Sequence, residues 1–174
     1  MASFQERIIG AAKLEVQTYE EVESDQGATG QAMAVVVLSS LAAGLGSYGL
    51  GGLSGMVRLT LMALIGWAIW AVLIYLIGTK LLPEPQTRSN ILEMLRTIGF
   101  ASAPGLLRFV GILPLIGWFL VWLINIWVLV ANIIAVRQAL DYQNTARAAI
   151  VCLIGWVAYV LIFWIGTRPV FVGI

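Results

Sequence analysis

Histidine is absent from the chain, and cysteine occurs once, as Cys152 inside an apolar run. Without imidazole the commonest metal ligand and general base are gone, and a protein-ligated haem is not expected. A single thiol forms no intrachain disulfide and reads as a small buried hydrophobe. GxSxG and HExxH elements are missing, and Asp141 has no evident partner for acid–base work. Intramembrane aspartyl chemistry needs two acids within the apolar segments, and only Glu93 qualifies. Glu20, Glu21, Glu23 and Asp25 form an acidic cluster of the type that binds cations or basic partners. It reads more simply as a solvated charge run, and anionic headgroups would repel it. Gly44, Gly46 and Gly49 match the dinucleotide pattern GxGxxG. That pattern needs a preceding strand, a following helix and an acid ~20 positions on. The corresponding position is Ile69 in apolar surroundings, so the match is rejected.

What remains is polar chemistry inside apolar sequence. Arg96, Pro104 and Arg108 share one segment, and ionisable groups beside a broken helix are typical of substrate paths. Trp118, Trp122, Asn125, Leu129, Asn132 and Val136 recur at alternating four- and three-residue spacing and line one helical stripe. An unpaired amide in lipid is costly, so Asn125 and Asn132 are expected to face protein. They either bond a neighbouring helix or line a polar path, and packing is the simpler reading. Small residues four apart (Ser40 and Gly44, Ala42 and Gly46, Gly51 and Gly55) fit close helix packing in lipid.

The elements that carry these residues follow from composition. Hydrophobic residues make up 60% of the 174 and charged residues 11%, and mean hydropathy is +0.94. Soluble domains run near ~45–50% apolar and ~25% charged, so the solvent that suits this chain is lipid. The expected fold is an all-α integral membrane protein, a bundle of five transmembrane helices behind a short N-terminal amphipathic helix. The spans fall at about residues 29–50, 59–82, 91–113, 115–136 and 148–165, with a polar segment at 1–28 and a tail at 169–174. A net charge of +1 without a basic face excludes nucleic acid as a partner.

The first 28 residues carry charges throughout and lack the apolar core of a signal peptide, so insertion by a retained first span is expected. Ser3 and Glu6 have the form of a capping box, and Phe4, Ile8, Ala12 and Val16 share a face. The helix they predict either lies along the membrane or is solvated. Thr18 and Glu21 form a second box. Pro83, Pro85 and the polar residues up to Asn90 mark an aqueous loop, after which Asn90 and Glu93 restart a helix.

The third span rests on an argument of length. Residues 109–136 carry no charge, and one helix of that size would be ~42 Å long, beyond the hydrocarbon thickness. Pro114 and Gly117 supply the break. The segment before it contains Glu93, Arg96 and Arg108, with Pro104 at its middle, and its uncharged part covers only ~16 Å. Glu93 and Arg96 are placed to neutralise each other, and Arg108 to snorkel. A tilted or re-entrant element is the alternative. With five spans, Arg7, Lys13, Lys80, Arg88, Arg96, Arg137 and Arg147 fall on one side, and Arg58, Arg108 and Arg168 on the other. The first side is then cytoplasmic, with the N-terminus inside and the C-terminus outside.

Residues 95–154 resemble the YIP domain family, the Ypt/Rab-interacting-protein-like membrane proteins. The matching text is LRTIGFASAPGLL (95–107), ILPLIGW (112–118), NIW (125–127), AVRQAL (135–140) and AIVCLIGW (149–156). With the two preceding spans the resemblance covers roughly residues 29–168. It implies a five-helix membrane domain with a cytoplasmic N-terminus and no known catalysis. Eukaryotic relatives act in vesicle trafficking with small GTPases. The short N-terminal segment here points instead to a bacterial member in the cytoplasmic membrane, or an endomembrane protein if eukaryotic.

The expected role is non-enzymatic: a scaffold, accessory subunit or membrane organiser within a larger complex. It would have no cofactor of its own, bound lipids, and other membrane proteins as hetero- or homo-oligomeric partners. The alternative is a transporter or channel component using the broken third span and the Asn stripe of the fourth.

Overall fold

The computed structural model describes residues 2–46 and 52–171, which form seven α-helices, one π turn and one 3-10 helix. Strands are absent among the described residues.

The N-terminal segment is two helices rather than one. In α1 (Phe4–Ala12) the expected capping box is present, with Glu6 N donating to Ser3 Oγ at 3.3 Å and Ser3 N to Glu6 Oε2 at 2.7 Å. Leu14 adopts a left-handed φ of 65°, and the chain turns there into α2 (Val16–Ser24). Thr18 lies within α2, so the second expected box caps nothing; the N-cap is Glu15. The two helices dock on the bundle. Phe4 meets Phe100 edge-on at 6.4 Å, and Trp127 Nε1 donates to the Ala12 carbonyl at 2.8 Å. Ala11, Tyr19 and Val22 are buried in one cluster with Ala28, Ala32, Val35, Phe100, Ala131 and Ala135. Val16, expected on the packed face, is exposed because the turn at Leu14 ends the stripe.

Among the described residues, four helices are long and apolar enough to cross a membrane: residues 28–46, 57–81, 117–139 and 145–162. They belong to α3 (Ala28–Gly46), α4 (Gly52–Leu76) with its π extension at Ile77–Leu81, α6 (Gly117–Ala139) and α7 (Thr145–Phe171). A π turn displaces carbonyls from the regular ladder. Here the Tyr142 hydroxyl bonds two of them, Gly78 O at 3.0 Å and Leu82 O at 2.6 Å.

The expected third span is not one transmembrane helix. Helix α5 (Ile91–Phe100) opens on Asn90, whose Oδ1 accepts from Leu92 N at 2.9 Å and Glu93 N at 3.0 Å. It stops after ten residues, and the chain resumes as a 3-10 helix at Ala103–Ile112. Pro104 lies in the first turn of that helix, where its missing N–H costs nothing and its ring cannot continue α5. Separately, the pieces measure ~15 Å and ~20 Å, each short of a ~30 Å hydrocarbon core. The expected Glu93–Arg96 pair does not form. Glu93 instead accepts from Asn90 N at 2.9 Å as half of the capping box. The break at Pro114 stands where expected, with Leu115 left-handed at φ 69° before α6 begins.

A seam of small residues holds this broken segment parallel to α3. A Cβ built on Gly99 would stand 2.7 Å from that of Ala32; on Gly105 it would strike Ser39 Oγ, and on Gly46 the Arg108 carbonyl. Ala32, Ser39 and Gly46 recur every seven residues of α-helix, ~10.5 Å, while Gly99, Gly105 and Gly111 recur every six. Between Gly105 and Gly111, both in the 3-10 helix, six residues are two turns and ~12 Å. The two rows therefore stay nearly in register.

Candidate functional site

Three arginines enter the folded interior, and their surroundings differ. Arg7 is only 2% exposed. Its guanidinium meets Glu21 Oε1 at 2.8 Å, Asp25 Oδ2 at 2.8 Å and Gln31 Oε1 at 3.0 Å. Burial opposes the charge on Arg7, but the bonds to Glu21 and Asp25 outweigh it and raise its pKa. Those same bonds lower the pKa of Glu21 and of Asp25. Half of the acidic cluster thus serves an internal cation.

Arg96 is 3% exposed and meets the same C-terminal end of α2 through its backbone. Its Nε donates to Val22 O at 3.0 Å and Glu23 O at 3.1 Å, and Nη2 also bonds Glu23 O. Cationic donors on the last carbonyls of a helix complement its dipole, so Arg96 caps α2 and latches it to α5. The Glu23 carboxyl beside this latch is pushed up to about 7, first by burial and then by the charges of Asp141 and Glu93.

Arg108 heads a cavity. In a 3-10 helix residues three apart eclipse, so Gly105, Arg108 and Gly111 share the ridge that faces α3. The absence of a side chain at Gly105 leaves space for the guanidinium. Arg108 Nε donates to Asn125 Oδ1 at 3.1 Å and Nη1 to Ser39 Oγ at 3.3 Å. Among the described residues no carboxylate lies within 4.0 Å of it. The cavity has a volume of about 1020 Å³ between α3, α4, α6 and α7, with Ile98, Ser102 and Arg108 contributed by the broken segment. Its wall is mostly apolar and aromatic, including Trp67, Trp70 and Trp156. Two of these are fixed: Trp67 Nε1 donates to Leu95 O at 3.2 Å, and Trp70 stands edge-on to Tyr159 at 6.3 Å.

The structure brings Arg108, Asn125 and Asn132 to this one cavity. Asn125 bonds another element, whereas Asn132 Nδ2 turns back to Val128 O of its own helix at 2.8 Å. Arg96 lies elsewhere, at the α2 latch, and Pro104 is buried in the first 3-10 turn. Gly46 packs in the α3 seam, Gly44 and Gly55 are half-buried, and Gly51 lies outside the described residues. Ser39 and the tryptophans of α4 were missed as lining residues. The equal six-residue spacing of Gly99, Gly105 and Gly111 is the signal in the sequence that points to a 3-10 seam.

Four long apolar helices, a broken segment packed along one of them and a polar cap tied to loops and helix ends define a multi-pass α-helical membrane protein. The Yip1 domain matches residues 15–165. That match takes in α2 and every apolar helix, and the chain belongs to the Yip1 domain family. No curated protein and no solved structure matches the chain.

Proposed function

We propose that the protein is a non-enzymatic membrane organiser, a scaffold or accessory subunit in a larger membrane assembly. One observation carries this reading: the interior polar groups hold elements together. Arg7 joins α1, α2 and α3; Arg96 joins α2 to α5; Trp127 joins α6 to α1. The family, whose members are not known enzymes, supports it as well. Outward, α6 presents Trp118 and Trp122, large side chains suited to lateral contact. Purification in mild detergent after crosslinking in native membranes is the test. A reproducible partner or homo-oligomer is expected, and monomer alone would sink the idea.

The broken segment makes the fifth crossing in this reading. Its pieces lie end to end in this reading, ~15 Å of α5 and ~20 Å of 3-10 helix, and between Gly99 and Gly111 they follow ~21 Å of α3. An odd number of crossings puts the two termini on opposite sides, and the lysine and arginine count favours a cytoplasmic N-terminus. Single cysteines introduced at Ser24 and Leu115, in a Cys152→Ser background, should react with an impermeant maleimide from opposite sides. Labelling of both from one side would leave only four crossings.

A transport role has one observation in its favour, the convergence of Arg108, Asn125 and Asn132 on one cavity. Liposome flux that falls in Asn132→Ala would support it, and the absence of flux would remove it.

A further inference from the structure

We infer that the cavity between α3, α4, α6 and α7 is a binding site for one anionic lipid, with its phosphate at Arg108 and Asn125 and its chain between the tryptophans. This rests on the membrane placement of the spans, but not on the scaffold role.

The polar end of the cavity is rich in donors and poor in acceptors. A guanidinium carries five N–H donors, and Arg108 uses two of them, on Asn125 Oδ1 and Ser39 Oγ. Asn125 spends its oxygen on Arg108, so its amide N–H groups stay available; no protein acceptor bonds them among the described residues. Among the described residues the cavity wall contains neither Asp nor Glu. A guanidinium flanked only by neutral groups in an apolar setting favours an anion, and its planar fork suits phosphate oxygens. A cation or a neutral sugar would leave that charge uncompensated.

The rest of the wall selects for a chain. Small-molecule sites are typically ~300–1,000 Å³, mostly apolar, with a few convergent polar groups. This cavity, at about 1020 Å³, stands at the upper limit and is walled by membrane helices. Trp67, Trp70, Ile98 and Cys152 are among its apolar lining. The Arg108 carbonyl lies level with Gly46 at the end of α3, and the guanidinium reaches back beside Gly105 to Ser39 and Asn125. A soluble anion would have no use for the apolar part.

The test uses the full chain in phosphatidylcholine nanodiscs doped with brominated-chain phosphatidylglycerol or brominated-chain phosphatidylcholine, read by tryptophan quenching. The wild type should prefer the brominated phosphatidylglycerol about fivefold, the size one arginine contributes toward an anionic head. Arg108→Gln should reduce the preference to about one, Asn125→Ala should weaken it, and Arg108→Lys should retain part of it. Ala63→Phe, which fills the wall without touching the arginine, should lower quenching by both lipids. Equal quenching by the two lipids in the wild type, or a preference that survives in Arg108→Gln, overturns the proposal. Displacement of the quencher by glycerol phosphate alone would make this a soluble-anion site and overturn it too. So would quenching blind to both lipids in a protein that runs as a dimer, because a second copy would then fill the cavity. Retained crosslinked partners with no lipid preference would refute this site and leave the scaffold role standing.

Discussion

The N-terminal cap and the Arg108 cavity solve the same problem, an arginine in an apolar fold, in opposite ways. At the cap, Arg7 is matched by two carboxylates and an amide oxygen, and Arg96 by the last carbonyls of α2. At Arg7 donors and acceptors balance, at Arg96 the end of a helix dipole meets the charge, and the outcome is structure: two polar helices fixed to a membrane bundle. At the cavity, Arg108 is met only by a hydroxyl and an amide oxygen, with space beyond them. There the balance is incomplete, and the outcome is a place where a molecule can bind. Burial alone therefore does not mark a functional arginine. The supply of acceptors does.

The sharpest way to break this contrast is to remove the balanced cation. Arg7→Met leaves Glu21 and Asp25 facing an apolar side chain, and it should cost about 3 kcal/mol, the low end for a broken buried pair because both acids are partly exposed. Protease accessibility of residues 2–24, read by mass spectrometry, should rise. A cap that stays protected would mean the arginine is not what holds it. Next in size is Gly46→Val, which drives side-chain atoms into the Arg108 carbonyl and should destabilise by about 2 kcal/mol in reversible unfolding from detergent. Its effect should extend to the cavity, since the same seam places Arg108.

Arg108→Gln should do much less to stability, under about 1 kcal/mol, because the two lost bonds to neutral acceptors are offset by removing a charge that no carboxylate matches. A loss as large as that of Arg7→Met would erase the distinction between the two regions.

The smallest effect is a pH dependence of the cap. Glu23 ordinarily titrates near 4.5 and is raised to about 7 in the fold, so the folded cap holds a proton between those values that the free segment releases. Cap stability should therefore decline as pH rises from about 4.5 through about 7. Glu21 and Asp25 act in the reverse sense: both are lowered, so their contribution is present above their ordinary values of 4.5 and 3.8 and fades as pH falls below them. Glu23→Gln should flatten the upper limb alone in a protease-protection profile, and an unchanged slope above pH 5 would refute this assignment.

Much of the bundle was legible in advance because lipid imposes a one-dimensional rule. A helix of about 20 apolar residues satisfies its own backbone and needs no partner to be recognised. Spans one, two, four and five follow from that rule, and the box at Ser3 and the helix start at Asn90 follow from equally local chemistry. The second box failed because Thr18 lies beyond a left-handed Leu14, and the sequence carries no glycine there to announce the turn. Glu93 was assigned to Arg96 by spacing alone, yet the nearer backbone N–H of Asn90 won it.

By itself, then, the sequence determined the solvent, the helical class, the long spans and the family, since each depends on composition or on order along the chain. Only the tertiary structure decided that the broken segment lies along α3 and that the polar N-terminus is part of the fold. It alone decided that Arg96 latches while Arg108 lines a cavity. The physical reason is that an arginine's role depends on the acceptors around it. For Arg96 these come from α2, 73 and 74 residues away, and for Arg108 from α3 and α6, 69 and 17 residues away. No local pattern encodes such meetings; they exist once the helices have packed.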